Sequence, residues 1–269
     1  MERPHAPEES GQGEVRLRFQ RLGDIIVVKD RFFPKENREE LARSLAERFG
    51  AKSVVLDMGI EGEFRKPRIR LLYGSSTETF HRENGVVYHL DLSKVMFSKG
   101  NVHERRRLIS LVREGEVVVD MFAGIGYFSL QIAKHTRASR VVSCEKNPDA
   151  FAFLVENIMI NGLETRVQPM MGDCREACPW RVGDRVIMGY LDAVKFLEHA
   201  VAALRGPGHL HVHGTGKTPR ELLDEVEVRL GQLGCTYEVL GVRRVKSYAP
   251  RVYHYVVDLR VDPRSAASP

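Results

Sequence analysis

The chain of 269 residues has no run of about 18 uninterrupted apolar residues, the length a helix needs to cross a bilayer, so no membrane span is expected. Its opening residues, MERPHAPEESGQGE, are acidic, rich in Pro and Gly, and lack the apolar core of a secretory signal. Cysteine is scarce. Cys144, Cys174, Cys178 and Cys235 form no CxxC pair, and no histidine cluster completes a tetrahedral zinc set. Four reduced thiols, no bound metal and a cytoplasmic location are therefore expected. Internal repeats and low-complexity core segments are also missing, which leaves ordinary globular folding.

An apolar share of 43% is enough to build a real core, and the length allows one large or two modest domains. Lys and Arg exceed Asp and Glu, 41 to 36, for a net charge of +5. That modest excess permits an anionic partner without requiring one. Its distribution is more telling. Arg65, Lys66, Arg68 and Arg70 lie together, Lys94 and Lys99 precede Arg105–Arg107, and Arg243, Arg244, Lys246 and Arg251 fall near the end. Single clusters of this kind are usually solvated faces, but three of them point to a phosphate backbone.

Periodicity divides the chain into a short tail (1–13), a small α/β unit (14–96), a larger α/β unit (97–262) and a second tail (263–269). In the first unit Arg16–Val28 reads as a strand, Pro34–Phe49 as a helix, Ser53–Leu56 and Arg68–Tyr73 as strands, and Thr79–Leu90 as a hairpin about ENG. In the second, a helix at His103–Val112 places Arg105–Arg107 on its polar side. Strands and helices then alternate: Glu116–Asp120, Tyr127–Ala133, Arg140–Glu145, Asn147–Asn161, Arg166–Met171, Asp184–Leu191, Ala193–Leu204, Gly208–His213 and Pro219–Leu233. Two further strands, Tyr237–Val245 and His254–Val261, close the series. Such alternation predicts a doubly wound, mostly parallel sheet of the Rossmann-like type.

The strongest signal is VVVDMFAGIGYFSL. A buried strand ends in Asp120, and Phe122 and Ala123 lead into Gly124 and Gly126, which let backbone approach a ligand before a helix begins. A dinucleotide fingerprint requires GxGxxG, and Phe128 stands where its third glycine would be. An acidic strand end also repels a pyrophosphate, which disfavours an NAD-linked oxidoreductase, but welcomes the cationic groups of S-adenosyl-L-methionine (AdoMet). Glu145 ends the next strand, before Lys146 and Asn147, where an acid takes ribose hydroxyls; the bland alternative is a surface glutamate. Asp173 and Cys174 follow the third strand, where the acid either meets the adenine amino group or caps a short helix. Acidic residues at three successive strand ends select AdoMet as the cofactor of a class I methyltransferase-like domain. They also argue against an inactive adaptor, which has no need of a full cofactor site.

With these motifs in view, the chain resembles the archaeal and eukaryotic tRNA guanosine-37 modifying enzymes. The resemblance rests on FSKGNVHERRRL (Phe97–Leu108), DMFAGIGYFSL (Asp120–Leu130), CEKNPDAFAFLVENIMINGL (Cys144–Leu163), GDCRE (Gly172–Glu176) and VKSYAPRVYHYVVDL (Val245–Leu259). It covers about Val15 to Val261. It implies that Ser98 and Arg105 contact the cofactor, that Glu145 holds the ribose, and that Asp173 and Cys174 line the adenine pocket. A guanidinium at Arg105 suits the methionine carboxylate. Methyltransferases of this group carry an Asn-Leu-Pro-type motif after the fourth strand. Here Met188-Gly189-Tyr190-Leu191 stands instead, as in the aminocarboxypropyltransferase branch of wybutosine synthesis.

The resemblance therefore implies transfer of the 3-amino-3-carboxypropyl group of AdoMet to a tricyclic guanosine-37 derivative in the anticodon loop of tRNA(Phe), with guanine-N1 methylation as the alternative. A monomer is the default expectation. His211, His213 and Tyr190 lie near strand ends where a base could sit, none being preferred, so the catalytic residue is unknown. Tyr190, Tyr248 and Tyr253 are candidate stacking surfaces for a splayed base.

Overall fold

The computed structural model describes residues 17–263, so the expected tails at 1–13 and 263–269 lie outside the described residues apart from Pro263. The first strand signal resolves into two strands, β1 (Phe19–Leu22) and β2 (Ile25–Lys29), antiparallel about Gly23 and Asp24. The reason is local. Gly23 adopts φ +56°, and a Cβ there would lie 2.1 Å from Thr79 Oγ1, so the turn can close only at glycine. Helix α1 (Arg38–Phe49) crosses over to β3 (Ser53–Glu61), which runs parallel to β2 and pairs antiparallel with β4 (Lys66–Tyr73). Ile26, Val28, Leu45, Val54 and Leu56 fill the core between this four-stranded sheet and α1.

Next comes the hairpin β5 (Glu78–Glu83) and β6 (Val86–Asp91). Asn84 and Gly85, with φ of +47° and +76°, supply the paired positive angles that a two-residue hairpin turn demands. The second unit contains α2 (Val102–Leu111), β7 (Val117–Asp120), α3 (Ser129–His135), β8 (Arg140–Glu145), α4 (Pro148–Ile160), β9 (Val167–Met171), α5 (Cys174–Ala177), β10 (Gly183–Met188), α6 (Leu197–Ala203), β11 (Leu204–Gly216), α7 (Pro219–Leu233), β12 (Thr236–Ala249) and β13 (Val252–Asp262). Its seven strands run in the order β12-β13-β11-β10-β7-β8-β9. From β11 to β9 every pairing is parallel, and β13 alone inserts antiparallel to both its neighbours. This is the doubly wound, mostly parallel sheet expected from the alternation. The strand order reverses between β7 and β10, the place where open sheets of this kind bind ligands.

Two asparagines dock the hairpin onto the larger unit. Asn157 on α4 and Asn161, which caps its C-terminus, are four residues apart and face the open edge of β6. Asn157 Oδ1 accepts from His89 N at 2.6 Å, and its Nδ2 donates to His89 O at 3.1 Å. Asn161 treats Val87 the same way, at 2.9 and 2.7 Å. The pair thus satisfies backbone groups that a further strand would otherwise hold. Tyr88 and Leu90 then share one core with Ile125, Leu130 and Leu154.

The expectation of four reduced thiols is corrected for two of them: Cys144 and Cys178 are joined as a disulfide, with Cα atoms 6.0 Å apart. Their separation of 34 residues carries no sequence signal, because the pair meets only when the chain beyond α5 folds back over the end of β8. Both sulfurs lie in an apolar core, while Cys174 and Cys235 remain free.

Asn157→Ala should lower stability by about 2–3 kcal/mol, since it strips hydrogen bonds from a fully buried amide and leaves the β6 edge unsatisfied. Hydrogen exchange should quicken at His89 before the central strands respond. A uniform loss of protection across both units would contradict this docking role.

Candidate functional site: a pocket at the strand-order reversal

Strand β7 is buried along its whole length, and its carboxyl end opens into the turn Met121–Phe128. Gly124 (φ +57°) and Gly126 (φ +98°) shape that turn. A Cβ on Gly124 would strike the Tyr127 ring at 2.4 Å, and one on Gly126 would strike Leu130 at 2.5 Å. Met121 N donates to Ile187 O and Ala123 N to Cys144 O, so the turn is stitched to the strands on either side. Above it lies a pocket walled by Phe122, Gly124, Tyr127, Glu145, Asn147, Asp173, Cys174, Gly189 and Tyr190. Ser98, Arg105 and Lys146 also line it.

Glu145 organises the floor. Its Oε2 accepts from Gly124 N at 2.6 Å and its Oε1 from Asn147 N at 2.7 Å. Burial raises its pKa, against the lowering effect of the Asn147 and Gly124 N–H groups. It has no cationic partner among the described residues, so lone pairs remain for hydroxyl donors. Asn147 in turn caps α4, accepting from Asp149 N at 3.0 Å, with Pro148 at the first helical position.

Asp173 also caps a helix: its Oδ1 accepts from Arg175 N at 3.1 Å. Its carboxylate further pairs with Arg175 at 2.8 Å and Lys146 at 3.1 Å. These partners, Arg175 first, hold its pKa well below the usual carboxylate range. Lys146 bridges onward to Glu63 at 2.6 Å, so the β3–β4 turn reaches the pocket mouth. There Glu63, Phe64 and Arg65 join the lining. Nothing in the sequence of the first unit signalled this.

Three residues expected at the cofactor do not line the pocket. Asp120, Ala123 and Gly126 sit beneath the turn rather than in the wall. Asp120 is fully buried, with Oδ2 accepting from Ser129 Oγ at 2.7 Å and Oδ1 from Phe122 N at 3.4 Å. Burial pushes its pKa up to about 6. The turn has folded over this carboxylate, so it braces the loop and does not face the cavity.

Arg105 lines the pocket, yet its guanidinium is committed. It forms a bidentate pair with Glu83 at 2.6 and 2.6 Å and donates to Ser98 O at 3.2 and 3.3 Å. Arg107 is likewise withdrawn from the surface patch, bound to Glu104 and Asp258. Only Arg106 of that triplet is exposed.

The two histidines offered as candidate bases are likewise committed to other partners. His211 bridges Asp258 at 2.6 Å and Arg185 at 2.7 Å, and His213 is sealed beneath Phe128; neither lines the pocket. His254, one step further along the sheet, does line it, as do Lys246 and Tyr248. Tyr253 instead receives the Arg244 guanidinium on its ring at 3.6 Å.

The end of β10 explains its own sequence. Gly189 packs against Phe128, and a Cβ there would lie 2.9 Å from the ring. The ring fills the space a polar side chain would use. Tyr190 then stacks on Phe122, with centroids 5.3 Å apart at 27°, leaving an aromatic wall.

The sheet order, the glycine turn after β7 and the carboxylate at the end of β8 define a class I AdoMet-dependent transferase fold. The family comparisons narrow this. Residues 79–239 match the TRM5/TYW2 methyltransferase domain and residues 5–77 the TYW2 N-terminal domain. The chain belongs to the TRM5/TYW2 family. A tRNA(Phe) (4-demethylwyosine(37)-C(7)) aminocarboxypropyltransferase of Methanocaldococcus jannaschii is 40% identical over 91% of this chain and 98% of that protein. The tRNA (guanine(37)-N(1))-methyltransferase Trm5b of Pyrococcus abyssi is 37% identical over 90% of this chain and 74% of its own. The crystal structure of P. horikoshii TYW2 in complex with MeSAdo superposes with a TM-score of 0.82, at 37% identity and 91% coverage of both chains.

Glu145→Ala should weaken AdoMet binding by about 1–3 kcal/mol, because it removes an acceptor and frees two loops that the carboxylate ties. Calorimetry showing unchanged affinity would remove Glu145 from the site.

Proposed function

We propose that this protein transfers the 3-amino-3-carboxypropyl group of AdoMet to a tricyclic guanosine-37 derivative of tRNA(Phe), releasing methylthioadenosine. The observation that carries this reading is the end of β10. Gly189 is pressed against Phe128, so no amide projects where the methylating relatives' Asn-Leu-Pro-type motif would supply one.

The pocket fits the cofactor by its donor set. Glu145 offers free carboxylate lone pairs for ribose hydroxyls, and Asn147, Asp173 and Cys174 close the end beyond it. Phe122, Tyr190 and Phe196 offer flat apolar faces, with Phe196 edge-on to Phe122 at 5.2 Å. When bound, AdoMet supplies carbon electrophiles already activated by the positive sulfur. The protein's task is therefore orientation rather than activation. Transfer forms one bond from the acceptor carbon to the γ-carbon and breaks the γ-carbon–sulfur bond. Sulfur keeps that electron pair, and the acceptor carbon gives up its proton.

Gly189 and Tyr190 shape the acceptor side by leaving an aromatic wall in place of a polar one. Tyr248, which is exposed and also lines the pocket, is suited to stack on a base splayed from the anticodon loop. The exposed Lys66, Arg68 and Arg70 of β4, with Arg243, Arg244 and Arg251, are suited to grip phosphates on either side. This gives the first unit, residues 14–96, a role in tRNA contact, and places catalysis and the remaining tRNA contacts in 97–262. Acting on tRNA in this way implies a cytoplasmic location and requires no second copy of the chain.

Chromatography of the small-molecule product decides between the family's two chemistries. Enzyme incubated with AdoMet should yield methylthioadenosine when the tRNA carries the tricyclic base, and nothing with plain guanosine at position 37. S-adenosylhomocysteine made from the plain tRNA would establish N1 methylation instead.

A further inference from the structure

The turn between β3 and β4 is the part of the cavity wall that the reading above does not use. It belongs to the first unit, yet Glu63, Phe64 and Arg65 line the same cavity as Glu145 and Tyr190. Its backbone is tight. Gly62 and Arg65 have φ of +67° and +53°, and Arg65 N donates to Gly62 O at 3.1 Å. On one side Glu63 meets Lys146 at 2.6 Å, and Lys146 meets Asp173 at 3.1 Å, so the turn reaches the end of β8. On the other, Arg65 lies close enough to act on Lys246 and His254, which line the wall formed by β12 and β13. The turn thus spans the mouth of the cavity.

Phe64 stands between those two contacts, and its side chain is 48% exposed although it lines a cavity. One exposed phenylalanine on a convex surface is ordinary. In a cavity wall it is apolar area that a bound group can cover. Other rings of the wall are already engaged, since Phe122, Tyr190 and Phe196 pack on one another. Phe64 and the half-exposed Tyr248 of β12 have no ring partner among the described residues. The mouth therefore carries two unstacked aromatic faces, one from each unit. The tricyclic acceptor differs from guanine by a third fused ring, which adds flat apolar surface. Stacking grows with the area overlapped, so an aromatic face responds to that difference. A cation at the mouth does not, because it attracts the phosphates of either tRNA alike.

We infer that Phe64 stacks on the acceptor base and is a specificity-determining residue, favouring a three-ring base over plain guanine. The inference rests on the proposed transfer to a tricyclic guanosine derivative and names a side chain that recognises it. It gives the first unit a part in choosing the base as well as in holding the tRNA backbone. The cofactor is the other flat group that this ring could cover, and the test separates the two.

The experiment measures binding of two tRNAs, one carrying the tricyclic base and one plain guanosine at position 37, with methylthioadenosine present to prevent turnover. The wild type is compared with Phe64→Ala and Phe64→Tyr. The wild type should bind the tricyclic tRNA more tightly than the plain one. Phe64→Ala should weaken the tricyclic tRNA by about five- to a hundredfold, the size of one lost base–aromatic stack, and leave the plain tRNA within about threefold. Phe64→Tyr, which keeps the ring, should retain most of the preference. Calorimetry with methylthioadenosine alone should show affinity within about threefold for all three proteins, which certifies folding and an intact cofactor site. Equal losses for both tRNAs, or no loss for either, would overturn the inference. So would a loss confined to methylthioadenosine, which assigns the ring to the cofactor. A wild type that releases no methylthioadenosine from AdoMet and the tricyclic tRNA would instead sink the proposed reaction.

Discussion

One carboxylate, Glu145, sets the geometry on which the site depends. It joins the loop after β7 to the loop after β8 through Gly124 N and Asn147 N, and the rest follows by contact. Asn147 starts α4, and α4 carries Asn157 and Asn161 to the edge of β6. The hairpin of β5 and β6 delivers Glu83 to Arg105, and Arg105 holds the carbonyl of Ser98. A cofactor floor and the opposite pocket wall are thus linked by a path of hydrogen bonds rather than by the covalent chain. Each joint is buried or half-buried, where an unmade polar contact costs more than in water.

A second device fixes α2 over the sheet. Glu104 and Asp258 clasp Arg107, Asp258 holds His211, and His211 meets Arg185, which forms a bidentate pair with Glu116. A row of this kind gives little net stability, since desolvation offsets much of the attraction. It is demanding about position, however, because each charge must meet its partners in one place. That constraint keeps the Ser98 loop in register with β12 and so brings Lys246 against Ser98. It also explains why basic residues read as a surface patch in the sequence turn inward: Arg105 and Arg107 answer acids that lie up to 151 residues away.

The sheet and the cofactor loops were legible because their signals are local. A run of apolar residues ending in an acid, a glycine pair and a capped helix appear in consecutive order, and each maps to one element. Strand β8 and helix α7 match their expected bounds, and Asn84-Gly85 forms the turn its residues require. What sequence could not convey was pairing across distance. The Glu83–Arg105 pair, the docking of Asn157 on β6 and the meeting of Cys144 with Cys178 have no periodicity to betray them. Asp120 shows the converse. Its place at a strand end was read correctly, but exposure depends on how the next turn folds, and Ser129 closes over it. Likewise neither candidate histidine of β11 lines the pocket, while His254 on β13 does.

The central claim is that this pocket presents the aminocarboxypropyl arm, not the methyl group, to the acceptor. A crystal structure of the protein with AdoMet bound tests it most directly. The account predicts ribose hydroxyls on Glu145 and the γ-carbon facing the side bounded by Gly189, Tyr190 and Tyr248. The methyl group turned toward Tyr190, with the γ-carbon facing away from that side, would contradict it.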